Sequence, residues 1–441
     1  MIRIAFLLPL ALFAATLPSV SLAQVAPAPV AAPDADPLTL PQAEAIALQN
    51  QPRMLAAQLR SRASEQRVRE TRSGLFPQVA FNATGAEVAD TGTATAAGAL
   101  STSSISDRFA FGGSLSQLVT DFGRTNALVA SSRSAAQAQA DLATLTRAQV
   151  RLNIRGAYYA TLGAESVLHA AQAALDNRQL VSRQLTALAQ SELRSTLDVN
   201  FANVLVSEAE LAVVHAQSDV AQSRDRLATA MGQTQPVTDT LIGVAPDTQP
   251  LPLAPSDLQQ QAQAQRADLA AAVARQHAAE QFATSEKRLS LPTLNVLAAA
   301  GDIPFHDHTL HDNYAAAGFN LNIPIFTGGL FSARRAEASL EADARKRDAQ
   351  EVSLEVSEQV RSSWYRADEA YRSLDVTKRL VAQSREALSL AQDRYNAGLG
   401  SIVELNEAQL NETSAEISAA SAVDTYLTRR AELDFAAGLL N

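Results

Sequence analysis

From about residue 125 to residue 189, and again from about 330 to 393, the chain runs without a single proline, and the first stretch contains only Gly156 and Gly163 as helix-weakening residues. Glycine costs roughly 1 kcal/mol and proline roughly 3 kcal/mol in a helix interior, so runs this clean permit one unbroken helix each. At 1.5 Å per residue, about 65 residues extend roughly 100 Å. No globular domain of this size needs rods of that length. Helices so long and without a thick core to bury them form coiled coils or tubes. The abundance of alanine and glutamine and the 5% aromatic content point the same way, toward long helices and away from a compact enzyme.

The two runs belong to a duplication. Shifting the sequence by 206 positions lays residues 123–232 over 329–438 without a gap, so that Gly123 falls on Gly329, Arg155 on Arg361, Tyr158-Tyr159 on Trp364-Tyr365, Ser195 on Ser401, Asp198 on Glu404 and Asn200 on Asn406. Upstream the shift becomes 215, where Ala56 meets Ala271 and Pro77 meets Pro292, so the first half carries nine extra residues between Pro77 and Gly123. Alanine matches are expected by chance in so alanine-rich a chain; the aromatic pair, the glycines and the prolines carry the case. The expected organisation is a first repeat over 24–232, a proline-rich linker over 233–256, and a second repeat over 257–441. Each repeat reads as an opening helix (about 41–72 and 257–288), a short β pair (about 76–119 and 292–326), a very long helix, a tight turn and a return helix.

The β segments alternate with period two. Val79, Phe81 and Ala83 oppose Gln78, Ala80, Asn82 and Thr84, and Phe109, Phe111, Gly113 and Leu115 oppose Arg108, Ala110, Gly112, Ser114 and Ser116. Leu294, Val296 and Ala298 make a weaker third set, and Phe319, Leu321, Ile323 and Ile325 oppose Asn320, Asn322 and Pro324. A transmembrane barrel requires strands of about ten residues with this alternation. An ordinary half-buried sheet gives the same pattern, so alternation alone leaves both open.

Export tips the balance. Arg3, the apolar run 4–17 and the small residues Ser21-Leu22-Ala23 read as a signal peptide over 1–23, with an apolar core too short to span a bilayer comfortably. Beyond it no stretch of roughly 18 apolar residues supplies a membrane helix. The chain has no cysteine, which excludes disulfides, thiolate metal sites and lipidation at a cysteine, and its net charge of −10 argues against nucleic acid as a partner. Four strands cannot close a barrel whose smallest bacterial form has about eight, and an open edge in lipid leaves backbone groups unpaired at several kcal/mol each. Strands in the membrane therefore require shared subunits. With helix axes about 10 Å apart, twelve helices from three chains enclose a bore of roughly 25–30 Å, while eight from two chains leave about 15 Å.

Several short motifs remain: the helix openings Leu40-x-x-Ala43 with Pro52-Arg53 and Leu258 with Arg266-Ala267-Asp268-Leu269, the junctions Asp121-Phe122-Gly123-Arg124 and Phe326-Thr327-Gly328-Gly329, and, most specific, the turn 394–404 (RYNAGLGSIVE). On these rests a resemblance to the TolC family of outer-membrane efflux proteins over about residues 38–438. It implies a mainly α fold with a small β part. Three chains would share a 12-stranded transmembrane β-barrel, four strands each, on a long α-helical coiled-coil tunnel through the periplasm. It implies a homotrimer in outer-membrane lipid that conducts solutes out of the cell, working with a periplasmic adaptor (membrane fusion) protein and, through it, an inner-membrane transporter. No cofactor is implied. Family positions lining the periplasmic aperture match Glu404 and Glu407, and a latch between the turns matches Tyr395 and Asp198. The adaptor-docking turns match Leu193, Ser195, Gly398, Leu399, Gly400 and Ser401. Two departures stand out: Gly400 replaces a basic residue that assists the latch in some members, and Glu192 replaces the usual glycine of the first turn.

Other features carry less. Three histidines crowd the segment 306–311 (HDHTLH), which reads as a polar extracellular loop more readily than as a metal site, and 91–106 reads as a flexible surface loop. The aromatic pairs Tyr158-Tyr159 and Trp364-Tyr365 read as packing between helices. Phosphate loops, nucleophile elbows and metalloprotease histidine pairs are absent from the sequence, so no enzyme is expected. The competing class is a periplasmic coiled-coil structural protein that never enters the membrane.

Overall fold

The computed structural model describes residues 37–86, 94–95, 102–103, 108–192, 195–245, 251, 254–305 and 311–441. The expected leader over 1–23, Leu193 of the first turn, and His306 and His308 of the histidine-rich loop lie outside the described residues.

Each opening helix, expected as one, is two. In the first half α1 (Leu40–Asn50) is followed by α2 (Pro52–Ser73), with Gln51 extended between them at φ −67, ψ 115. Pro52 forces that break, because its ring clashes with a helical residue before it. Thr39 starts α1 through a reciprocal capping box with Gln42. In the second half α5 (Pro255–Gln265) and α6 (Ala267–Lys287) are broken at Arg266, again extended, with no proline to cause it. There the side chain holds the break open: the Arg266 guanidinium donates to Asp268 and to Gln359 Oε1 at 2.8 Å.

The long helices α3 (Arg124–Gln190) and α7 (Leu330–Asn396) are each 67 residues, and the return helices α4 (Thr196–Ala230) and α8 (Ile402–Ala436) each 35. Positive φ occurs at Phe122, Gly123, Glu192 and Gly232, and at Gly328, Gly329, Gly398 and Gly438, each of the second set 206 residues after its counterpart. The return helices end where the opening helices break. Gln51 donates to the carbonyls of Thr229 and Ala230, the orphan acceptors at the end of α4, and Arg266 reaches the Ala436 carbonyl at the end of α8.

Strands β1 (Gln78–Ala86), β4 (Arg108–Thr120), β5 (Thr293–Phe305) and β6 (Asn313–Asn322) form one antiparallel sheet in the order β1-β4-β5-β6. Two short strands, β2 (Ala94–Thr95) and β3 (Thr102–Ser103), pair with each other within the segment read as a flexible loop. The strand expected through Ile325 stops at Asn322. Its last partner is Thr293, the first residue of β5 after Pro292, so Ile323 to Ile325 have nothing to pair with, and Pro324 has no N–H to offer. The register puts Phe81 opposite Gly113, Leu115 opposite Ala298, and Val296 opposite Phe319, so the apolar side chains share one face. Phe81 and Phe319 on it are 72% and 76% exposed. Gly112 and Gly301 are directly paired where the strands crowd: a Cβ on Gly301 would lie 2.1 Å from the Phe111 carbonyl oxygen, so no other residue fits that bend.

The main core lies between α1, α3, the end of α4 and the linker. Tyr158 is fully buried there, its hydroxyl 2.8 Å from the carbonyls of Leu38 and Ile242. A second cluster gathers Val356, Val360 and Leu433 with Trp364 against it. Packing therefore accounts for three of the four paired aromatics. Tyr365 is the exception, 62% exposed where its counterpart Tyr159 is 6%.

Candidate functional site: the paired helix turns

The α7–α8 turn is built by a helix stop signal. Gly398 adopts φ 75, the Leu399 N–H donates back to the Arg394 carbonyl at 2.8 Å, and the Gly398 N–H to Tyr395 at 3.1 Å. This is the double bond of a Schellman cap, which favours glycine at the left-handed position. Ser401 then opens α8, its Oγ accepting from the Glu404 N–H at 3.1 Å. The α3–α4 turn has the same plan, with the Glu192 N–H donating to the Ala189 carbonyl and Ser195 Oγ accepting from Leu197 N–H at 3.1 Å. Here Glu192 sits at φ 58, in the place that Gly398 fills in the other turn. A side chain in that conformation costs roughly 1–2 kcal/mol.

One apolar cluster ties the two turns together: Leu185 from α3, Ala202 from α4, Ala391 and Tyr395 from α7, and Ile402 and Leu405 from α8, with Val199 packed against it. The charges lie outside it. Glu404 pairs with Arg394 at 3.5 Å on a partly exposed surface, an interaction worth at most about 1 kcal/mol. Farther up the same hairpin Arg385 bonds Glu416 at 2.6 Å and approaches Glu412 at 3.8 Å. Burial first, and then the Glu416 charge, push the Glu412 carboxyl up against the opposing pull of Arg385. The first hairpin is held differently, by buried Arg178 donating to the Leu205 carbonyl at 3.1 Å. Burial holds that guanidinium below its ordinary pKa, with Glu208 working in the opposite direction. Among the described residues no three His, Asp or Glu side chains converge to hold a metal ion, and no helix is long and apolar enough to cross a membrane.

The outer membrane efflux protein family model matches residues 45–233 and again 258–439. The chain belongs to the outer membrane efflux protein family. The family is one of transport channels, not of enzymes. Outer membrane protein TolC of Salmonella enteritidis is 23% identical over 163 residues, a match that spans 34% of this chain and about a third of that relative's own length, 33%. Among solved structures the outer-membrane channel OprN superposes with a TM-score of 0.77 at 20% identity, covering 90% of this chain and 89% of that one. CusC, studied for folding and transmembrane channel formation, gives 0.79 at 16% identity over 90% and 92%. The open-state MtrE outer membrane channel of Neisseria gonorrhoeae gives 0.76 at 22% identity over 90% and 88%. These superpositions establish the shared fold.

The expected gate residues lie at or beside the two turns. Tyr395 is buried in the cluster against which Val199, the residue after Asp198, packs. Asp198 is half-buried in the first turn of α4, and Glu404 holds the matching position in α8, where an acid suits the helix dipole. Glu407 is exposed one turn later. Leu399 stands out at 76% exposure on the turn, and Gly400 is pressed close, its missing Cβ 3.2 Å from the Tyr395 nitrogen. Sequence reasoning missed Arg394, Arg178 and Asn406, whose Oδ1 is buried without a hydrogen-bond partner. Arg394 stood in the turn motif, but its reach to Glu404 depends on how tightly the turn folds. Arg178 had no carboxylate at helical spacing to mark it, because its partner is a carbonyl.

Proposed function

We propose that three copies of this chain form an outer-membrane export channel. Each contributes four strands to one barrel and its long helices to a periplasmic tunnel, and the tunnel's turns form the gate and the docking point for an adaptor linked to an inner-membrane pump. The observation that carries this is an inequality between the two halves. Helix α3 is packed by α2 and α4 of its own half and by α6 and α8 of the other. Helix α7, its counterpart, packs on α5, α6 and α8, but among the described residues it has no comparable packing with α2 or α4. Its outer side is correspondingly bare: Leu354 is 74% exposed where the matching Ala148 is 3%. The sheet repeats the logic, with β1 and β6 each left with one unpaired edge. Setting α7 of one copy against α2 and α4 of the next, and β6 against β1, satisfies both deficits with one operation. Repeating that operation closes a ring. Two copies give too few helices for a wide duct; three give twelve strands and a bore of roughly 25–30 Å.

In this ring Glu404 and Glu407 from three chains supply six carboxylates near the aperture, Tyr395 and Asp198 link neighbouring turns, and Ser195, Gly398, Leu399, Gly400 and Ser401 with Leu193 face the adaptor. The reading of residues 1–23 as a signal peptide that directs export, and of 24–232 and 257–441 as repeats, belongs to the same proposal. The test is Leu354→Asp. Burying a leucine contributes about 1.5–3 kcal/mol, and burying an unpaired carboxylate in its place costs several more. Wild-type protein in mild detergent should be trimeric by light scattering and conduct ions in planar bilayers, while the variant should be monomeric and silent. A monomeric wild type, or recovery of the chain in the soluble periplasmic fraction, sinks the reading and favours the structural coiled coil.

A further inference from the structure

The antiparallel register brings all four strand-to-helix junctions to one end of the sheet: the start of β1, the end of β4, the start of β5 and the end of β6. Two features coincide there. In the single chain every junction exposes a large apolar side chain: Phe122 and Leu291 in the middle of the sheet, and Phe76, Ile325 and Phe326 beside the edges that the proposed ring joins. The same short segments, 72–77, 121–126, 286–292 and 323–335, hold six basic residues, Arg72, Arg124, Lys287, Arg288, Arg334 and Arg335, against two acidic ones, Asp121 and Glu286. That local excess of four positive charges sits in a chain whose total is −10.

The acids do not neutralise the bases where solvent meets them. Asp121 is buried and consumed by backbone, accepting from the N–H groups of Gly123 and Thr125. Glu286 is buried, and its ion pair among the described residues is with Arg124, at 3.9 Å. Arg288 donates to the Gly123 carbonyl and Arg335 lies 3.5 Å from Ser290 Oγ, so these side chains are placed by neutral groups and keep their charge uncompensated. None of Arg72, Lys287, Arg288, Arg334 and Arg335 pairs with a carboxylate among the described residues. The Arg72 guanidinium lies over the Phe76 ring at 5.6 Å, an apolar body with a cationic head beside it.

We propose that this collar binds anionic phospholipid headgroups of the membrane leaflet nearest the helical part, with the exposed phenyl and aliphatic groups seated among the acyl chains. The inference rests on the reading that the sheet spans a membrane. If it does, the sheet's apolar face ends where lipid headgroups begin. Aromatic groups favour that level, and cations near it attract anionic lipid. Free phosphate offers the same headgroup chemistry but leaves the exposed apolar ring without a partner, which is why lipid is the committed occupant.

The test uses the full chain, purified in mild detergent and reconstituted into vesicles of phosphatidylcholine alone or mixed with phosphatidylglycerol of the same acyl chains. Native mass spectrometry then counts the lipids each protein retains. Wild type should retain phosphatidylglycerol in preference to phosphatidylcholine. Each charge removed should lower that preference about fivefold, so the double variant Arg334→Gln, Arg335→Gln should lose most of it while Arg334→Lys, Arg335→Lys keeps it. Equal retention of both lipids by an inserted wild type, or an undiminished preference in the glutamine variant, overturns the collar and leaves the barrel standing. Failure to insert into either vesicle overturns both. Competition by millimolar inorganic phosphate that abolishes the preference overturns lipid as the occupant.

Discussion

Asp424 is the buried group whose ionisation should be felt across the fold. It lies on α8 against Gly163 of α3, where a Cβ added at Gly163 would come within 3.0 Å of the Asp424 carboxyl carbon. Its Oδ1 is buried with no hydrogen-bond partner among the described residues, and burial alone pushes its pKa from 3.8 up to about 6. Below 3.8 the carboxyl is protonated in both folded and unfolded chains and the site adds no penalty. As the pH rises through 6 the folded state must ionise against its surroundings, so stability is lost across that window and stays lost above it. A shift of about two units corresponds to roughly 3 kcal/mol for a fully shielded group; with the side chain still partly in contact with solvent, about 1–2 kcal/mol is the expected size. Asp424→Asn keeps the shape and removes the ionisation. The variant should match wild type at pH 4 and exceed it by about 1–2 kcal/mol at pH 7.5. Thermal unfolding followed by helical circular dichroism, in detergent at a series of pH values, measures both. A variant that is less stable than wild type at pH 7.5, or that keeps the wild-type slope between pH 4 and 7, refutes the reasoning.

Two other outcomes are expected. Glu192→Gly should stabilise the first turn by roughly 1 kcal/mol, because glycine adopts the left-handed conformation without the side-chain clash that Glu192 bears at φ 58; slower proteolysis at this turn is the readout, and faster cleavage than wild type refutes it. Glu404→Ala with Glu407→Ala should reduce the cation preference of single channels in planar bilayers, measured as reversal potential in a salt gradient; an unchanged reversal potential removes both residues from the conduction path.

Much of the architecture was legible because it depends on residue types that act locally. The absence of proline over 125–189 and 330–393 foretold α3 and α7 to within three residues at either end, and alternation foretold the starts of β1, β4 and β5, while β6 begins at Asn313, ahead of the set read from Phe319. What escaped sequence reading depended on partners distant in the chain. The break at Gln51 is announced by Pro52, yet the break at Arg266 has no proline beside it and is held in part by Gln359, far along the chain. The end of β6 is set by where β5 begins, not by its own alternation, which continues to Ile325. At the turns the glycine of the second was readable, while the pairing of Glu404 with Arg394 followed only from the folded hairpin.

The two hairpins that form the turns differ in what holds them closed. In the first, Arg178 is buried and donates to the Leu205 carbonyl across the pair, so separating α3 from α4 breaks a buried charge-assisted hydrogen bond. The equivalent position in the second hairpin is Ser384, whose hydroxyl bonds the Val381 carbonyl within its own helix and contributes nothing across the pair. Helices α7 and α8 rely there on Arg385 with Glu416 and on Arg394 with Glu404, pairs whose arginine side chains are 61% and 59% exposed. Exposed pairs are each worth at most about 1 kcal/mol and weaken with salt, whereas removing a buried hydrogen bond to a charged group costs about 1.5–3 kcal/mol. Separating α7 from α8 therefore costs less than separating α3 from α4. Leu185 and Ala202 of the firmer pair are buried with Ala391, Tyr395, Ile402 and Leu405 of the looser one, so that cluster ties the two hairpins together.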